Sequence, residues 1–129
     1  MSEALAGDPE GLGERLVRTY LKLWEDPASA GSVLATVRSA ITSDRAADRL
    51  QSLLGAQLHA DVPGLLDRPD GEVRAALIGS HLFGVAVARH VLRVDPIAGL
   101  DLDALVALCV PAVQRYLTDP LPRVRPSEE

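Results

Sequence analysis

The sequence predicts an all-α fold, a bundle of five to six helices. Three observations point there. Apolar residues make up 47% of the 129 but aromatics only 3%, so the core must be built mainly from Leu, Val and Ala, which suits closely spaced helices better than a β-sandwich. Apolar residues recur at helical spacing in successive stretches. Aspartate followed by proline punctuates those stretches at Asp8-Pro9, Asp26-Pro27 and Asp95-Pro96. No segment requires a strand.

The first helix is expected to start at Asp8, whose carboxylate caps it, with Pro9 in the first turn and Glu10 near the positive end of the dipole. Leu12, Leu16, Tyr20, Leu23 and Trp24 give it an apolar stripe, and Asp26-Pro27 ends it near Glu25. A second helix follows, with Val33, Leu34, Val37 and Ile41 on its buried face. Ser43 and Asp44 restart the chain into a third helix marked by Leu50, Leu53, Leu54 and Leu58. Pro63-Gly64 ends or bends that helix, with Leu65 and Leu66 continuing a short turn. The loop "DRPDG" (67–71) offers Asp70 as the cap of a fourth helix running to about Arg93. The last helix begins at Asp101 and carries Leu105, Leu108, Cys109, Ala112, Val113, Tyr116 and Leu117. Pro111 inside it removes the bond to the carbonyl of Ala107 and is expected to kink it. The tail from Pro120, "PLPRVRPSEE", is proline-rich and charged and is expected to be mobile.

The length suits one domain with a real core, and no internal repeat or linker divides it. The expected organisation is a helical domain at 8–118 and a flexible tail at 119–129. A formal net charge of -5, with basic residues scattered among eighteen acidic ones, gives no electrostatic footprint for nucleic acid. Arg15, Arg18 and Lys22 fall near one another, with Glu14 four residues before Arg18, as on a solvated helix face. Lone Cys109 excludes an internal disulfide and suits a reducing compartment. No apolar run reaches the ~20 residues of a membrane span and no leader pattern is present, so the expected location is cytoplasmic, with no membrane partner.

The stretch "AALIGSHLFGVAVA" (75–88) carries glycine at 79 and 84 inside the fourth helix. Each costs roughly 0.5 to 1 kcal/mol against alanine, so packing must offset about 1 to 2 kcal/mol. Ala76, Ser80, Gly84 and Ala88 recur every four residues and form one slanted ridge of small residues, with Gly79 at its edge and Val73, Leu77, Val87 and Val91 beside it. Such a ridge admits a second helix closely. That helix belongs either to the same chain or to a second copy. The last two helices are apolar around much of their circumference, which tilts the choice toward a second copy, because five short helices cannot enclose two of their own number.

"GDPEGLGERLVRTYLKLWEDP" (7–27), "VRAALIGSHLFGVAVARHVL" (73–92) and "LVALCVPAVQRYLTDP" (105–120) together resemble the C-terminal regulatory domain of TetR-type transcriptional repressors, over nearly the whole chain from Gly7 to Pro120. The resemblance implies a helical domain that binds a small molecule, and a homodimer in which the last two helices of each subunit pair as a four-helix interface. It places Ala76, Ser80, Gly84, Val87, Ala88, Val91, Leu105, Leu108, Ala112 and Tyr116 at that interface. It also implies a DNA-binding helix-turn-helix domain before residue 1, for which the chain as given has no room, so that 1–7 is expected to be a remnant of the connecting helix or a disordered segment. The expectation is that this chain alone does not bind DNA specifically.

Catalytic signatures are absent: no Gly-x-Ser-x-Gly elbow, no phosphate-cradling glycine loop and no HExxH. His81 and His90, nine residues apart, point to opposite sides of one helix, and His59 and Cys109 have no partner at ligand spacing. No catalytic residue, metal site or cofactor is therefore expected, and the chain is not expected to be an enzyme. Helical bundles hold small molecules between helices in apolar cavities with a few polar anchors. The candidate ligand-binding residues are Tyr20, Trp24, Arg38, His81 and Phe83, with a hydrophobic or aromatic effector. Aromatics at such spacing are also ordinary core residues, and Arg38 suits a surface charge. The alternative function is a free-standing helical dimerisation or interaction module with no small-molecule ligand.

Overall fold

The computed structural model describes residues 11–48 and 68–123, with residues 52, 62 and 64 between them. Among these residues the structure is all-helical: α1 (Leu12–Glu25), α2 (Pro27–Thr42), α3 (Gly71–His90) and α4 (Leu102–Thr118), with a further helical stretch at 44–48. The predicted cap at Asp8 and the apolar positions Leu50, Leu53, Leu54, Leu58, Pro63, Leu65 and Leu66 lie outside the described residues, as do 1–10 and 124–129.

The core is made where α1, α3 and α4 meet. Leu16, Val17, Leu21 and Trp24 of α1 are buried against Ile78, Leu82 and Ala86 of α3 and against Leu105, Val106, Cys109, Val113 and Leu117 of α4. Two tertiary contacts set the direction of packing: Gly13 of α1 meets Gln114 near the end of α4, and Arg18 pairs with Asp103 near its start. α1 and α4 therefore run antiparallel. α3 runs antiparallel to α4 as well, because Arg74 at its start bonds Tyr116 and Arg89 at its end bonds the segment leading into α4.

Helix ends facing this core are satisfied by other elements. α1 has no side-chain cap at Gly11. Instead the Gly13 amide, one of the free donors of the first turn, donates to Gln114 Oε1 at 2.8 Å. The carbonyls of Tyr116 and Leu117 at the end of α4 accept from Arg74 and Arg68, each at 2.6 Å. Two guanidinium groups thus complement the negative end of the α4 dipole. Arg74 is 1% exposed, and its Nε lies 2.9 Å from Asp70. That pairing corrects the expected role of Asp70: it holds the N-cap position of α3 but makes no side-chain cap bond, because its carboxylate serves Arg74. The guanidinium hydrogen bond holds the Asp70 carboxyl below its ordinary value.

Gly13 is where a close helix approach is required. A Cβ there would collide with Gln114 Oε1 and stand 3.1 Å from its Cβ and 3.3 Å from its backbone Cα. Gly13→Ala is expected to destabilise the subunit by about 1–2 kcal/mol, since it removes the Gly13–Gln114 bond and parts two helices, against a smaller gain in helix propensity. Urea denaturation followed by circular dichroism reads this, and an unchanged or raised midpoint would mean that the two helices can move apart freely.

Several expectations are confirmed with their mechanism. Asp26 caps α2, accepting from the Ala28 amide at 3.2 Å and from Ser29 Oγ at 3.0 Å. Asp101 caps α4, accepting from the Ala104 amide at 2.7 Å. Ser43 restarts the chain, its Oγ accepting from the Ala46 amide at 3.3 Å. Other expectations are corrected. α2 buries none of its residues: Val33, Leu34 and Val37 are half-buried and Ile41 is 79% exposed, because among the described residues α2 packs mainly against α1. α3 ends at His90, short of Arg93. Arg93 takes a left-handed φ of 52°, which lets the Val94 amide reach the Ala88 carbonyl and turns the chain. Pro111 lies inside α4, as the sequence indicated; it is exposed, as is Ala107, whose carbonyl loses its helical donor. Water can satisfy that carbonyl.

Candidate functional site

Two regions stand apart from the plain core: an aromatic corner where the ends of α1 and α3 meet, and an apolar face that α3 and α4 turn outward.

At the corner, Trp24, the next-to-last residue of α1, is buried. Phe83 meets it edge-on, with ring centroids 6.2 Å apart, and the His90 imidazole stacks on it at 6.0 Å. Tyr20, one turn earlier on α1, is half-buried. Burial pushes its phenol up, and a hydrogen bond with the Trp24 indole works against that shift. Of the predicted ligand-binding residues, Tyr20, Trp24 and Phe83 are thus brought together. His81 is half-buried on α3 and makes no ring contact with the corner among the described residues, and Arg38 is exposed on α2.

The corner's polar groups are ones the sequence pattern did not single out for it. Arg89 Nε donates to Glu25 Oε1 at 3.0 Å, and its Nη1 donates to the carbonyls of Ile97 at 3.1 Å and Leu100 at 2.6 Å. His90 Nε2 is buried with no hydrogen-bond partner, 3.6 Å from the same Glu25 oxygen. Sequence reasoning weighed His90 only as a metal ligand against His81. The available signal was its register: His90 lies seven residues after Phe83, on the same helix face.

Burial lowers the His90 pKa from 6.5, helped by the Arg89 charge and opposed by the Glu25 carboxylate. The folded state therefore binds its proton less readily than the unfolded chain does, so the stability contribution is complete above pH 6.5 and is lost as the pH falls through the lowered value. Unfolding free energies measured at about pH 7.5, 6.5 and 5.5 are expected to drop toward the acid end. In His90→Phe, which keeps a ring on Trp24 but cannot titrate, that drop is expected to be shallower. An identical slope would place the proton uptake elsewhere.

The outward face is defined by what the core leaves free. Arg74, Ile78, Leu82 and Ala86 form the inward ridge of α3. The small residues Ala76, Ser80, Gly84 and Ala88 are each two positions on, about 200° round the helix, and so face away from the core. Ala76, Ser80 and Gly84 are exposed, and Val87 and Ala88 are half-buried. A Cβ built at Gly79 or Gly84 would meet nothing within 4 Å. Exposed large apolar residues border the ridge on α3, Val73 at 50%, Leu77 at 37% and Val91 at 38%; on α4, Leu108 is 67% exposed. Ala112 and Tyr116 of α4 are half-buried. Leu105, expected on this face, is instead 3% exposed within the subunit's own core, because it stands one turn before Cys109 on the inward side of α4.

A separate open cleft of about 300 Å³ lies at the C-terminal end of α4, lined by Ala112, Arg115, Tyr116, Asp119 and Pro120–Pro122. It does not reach the aromatic corner. Among the described residues no group of three or more His, Cys, Asp or Glu is placed to hold a metal ion, and no helix is long and apolar enough to cross a membrane.

Residues 10–117 match the family model described as tetracyclin repressor-like, C-terminal domain. Among solved structures, the crystal structure of a TetR-family regulator from Streptomyces coelicolor A3 is similar to this chain, with 29% identity and a TM-score of 0.66. The match covers 92% of this chain and 78% of that one. No curated protein matches the chain.

Proposed function

The chain belongs to the tetracyclin repressor-like C-terminal domain family, and on that premise we propose that it is the effector-binding and dimerisation domain of a TetR-like transcription regulator. The outward face of α3 and α4 carries this reading. Val73, Leu77 and Val91 are exposed around the α3 ridge, on which Gly79 and Gly84 meet nothing within 4 Å among the described residues, and Leu108 is exposed on α4. Two helix-interior glycines that pack against nothing among the described residues leave their helix-propensity cost unmet until a second copy closes on them. Two α3–α4 pairs facing each other make a four-helix interface with twofold symmetry.

The effector side of the reading is supported by the corner of Tyr20, Trp24, Phe83 and His90, which offers aromatic surface with one buried, unbonded imidazole nitrogen. Such a lining suits a hydrophobic or aromatic small molecule. Effector binding would favour one arrangement of α1, α2 and α3 over another, and so bias the spacing of DNA-reading domains carried by the two subunits. With a formal net charge of -5, the domain alone would not read an operator.

Native mass spectrometry of the purified chain tests both halves. The expected spectrum shows a dimer, with any retained small molecule as added mass. A monomer at micromolar concentration would remove the dimer. One observation favours a second reading, a dimerisation module with no ligand: the 300 Å³ cleft does not lead to Trp24. The two readings separate in a thermal-shift screen. An effector present at 100 times its Kd adds about 2.7 kcal/mol, a rise of several degrees, whereas a ligand-free module shows no shift with any compound.

A further inference from the structure

We propose that Arg89 couples the α1–α2 corner to the α3–α4 connection, acting as a positioning residue between the proposed effector region and the proposed subunit face. Glu25 is the last residue of α1, and Asp26, next to it, ends α1 and caps α2. The corner between these helices is therefore a single residue. On the other side, the connection at 91–101 is closed mainly on itself, by Ala98 to Val94, Gly99 to Pro96 and Leu100 to Ile97 backbone bonds. Arg89 joins the two. Its Nε edge holds Glu25, its Nη1 holds the Ile97 and Leu100 carbonyls, and its side chain is only 11% exposed.

A guanidinium is planar and rigid, so the Nε and Nη1 bonds share one orientation. If Glu25 shifts, Arg89 must either give up a charge-assisted bond or carry the two carbonyls with it. The connection leads directly into Asp101, the cap of α4, and begins with Val91 at the edge of the exposed face. A displacement beside Trp24 thus has a built route to the helices that bear that face. A lysine at 89 would keep the charge but would lose the fork. The functional meaning of this route rests on the proposed function; its test does not.

Hydrogen exchange of the full chain, followed by mass spectrometry or NMR, provides the test. Arg89→Lys is expected to lower protection of the Ala98, Gly99 and Leu100 amides by about tenfold, the loss of one or two charge-assisted bonds. Glu25→Ala is the decisive variant, because Glu25 touches Arg89 and His90 while the connection's carbonyls are held by Arg89. Its expected result is a loss of about threefold or more at the same three amides, with Glu25→Gln giving less. The Glu25→Ala, Arg89→Lys double variant should lose no more than Arg89→Lys alone. If Glu25→Ala loosens only the end of α1 and the start of α2, Arg89 holds its two sets of partners independently and the coupling is overturned. Additive losses in the double variant overturn it equally. These readouts need neither a dimer nor an effector, so their failure is distinct from failure of the proposed function.

Discussion

Gly84→Arg is expected to give a folded monomer. Gly84 lies on the outward ridge of α3 with nothing within 4 Å of a built Cβ, so the subunit accommodates the longer side chain without repacking. A second copy seated on the ridge does not. An unpaired charge enclosed in an interface costs about 3–5 kcal/mol, and twofold symmetry introduces it from both subunits. The dimer Kd should rise more than about a hundredfold. Sedimentation velocity gives the dissociation constant, and far-ultraviolet circular dichroism checks that helix content is kept. Leu108→Asp, made on α4 at a residue 67% exposed, should act in the same direction. If both variants dimerise as tightly as the parent, the face of α3 and α4 is not the subunit interface.

Trp24→Ala is expected to cost the subunit about 3–5 kcal/mol, the range for emptying a buried aromatic site. That is a large part of the 5–15 kcal/mol typical of a domain. Trp24 is 4% exposed, and its loss leaves Phe83 without its edge contact and His90 without its stacking partner. Trp24 is the sole tryptophan, so the variant must be followed by circular dichroism in urea and not by fluorescence. Trp24→Phe, which keeps a ring but loses the indole N–H, should cost roughly half as much. A loss below about 1 kcal/mol for the alanine variant would show a corner that collapses around the gap, contrary to the close packing seen here. In the parent chain the same uniqueness is useful, because quenching of this one fluorophore reports any aromatic effector that reaches the corner.

How far the sequence could be read differed from element to element for physical reasons. α1 was the most legible. It is strongly amphipathic, and Leu16 and Trp24 are buried as the spacing requires, although Leu23 of the predicted stripe is 42% exposed and Val17 and Leu21 are buried beside it. The caps at Asp26 and Asp101 were equally legible, because a capping carboxylate acts on amides two or three residues away and needs no tertiary partner. α2 was misread. Val33, Leu34, Val37 and Ile41 do form a stripe, but a stripe becomes core only where another element covers it, and spacing carries no information about that.

The candidate site was legible in part. Tyr20, Trp24 and Phe83 could be chosen because aromatics are few, whereas Glu25, Arg89 and His90 could not. Their roles depend on the ends of α1 and α3 meeting, which is set by contacts between residues more than sixty positions apart. The reading of Asp70 as a cap failed for the same reason: Arg74 offered its carboxylate a stronger partner, and Arg74 is buried only because α4 ends beside it.

By itself the sequence determined the helical class, the boundaries punctuated by Asp26-Pro27 and Asp101, the amphipathic sense of α1 and the ridge of small residues on α3. All of these follow from interactions within a few residues along the chain. Which way α3 and α4 turn was decided only in three dimensions. Both helices are apolar around much of their circumference, so periodicity left the choice of core face open. Packing against α1 made that choice: the face bearing Ile78, Leu82 and Ala86 fits beside Leu16 and Leu21, and Gly79 and Gly84 are left looking outward.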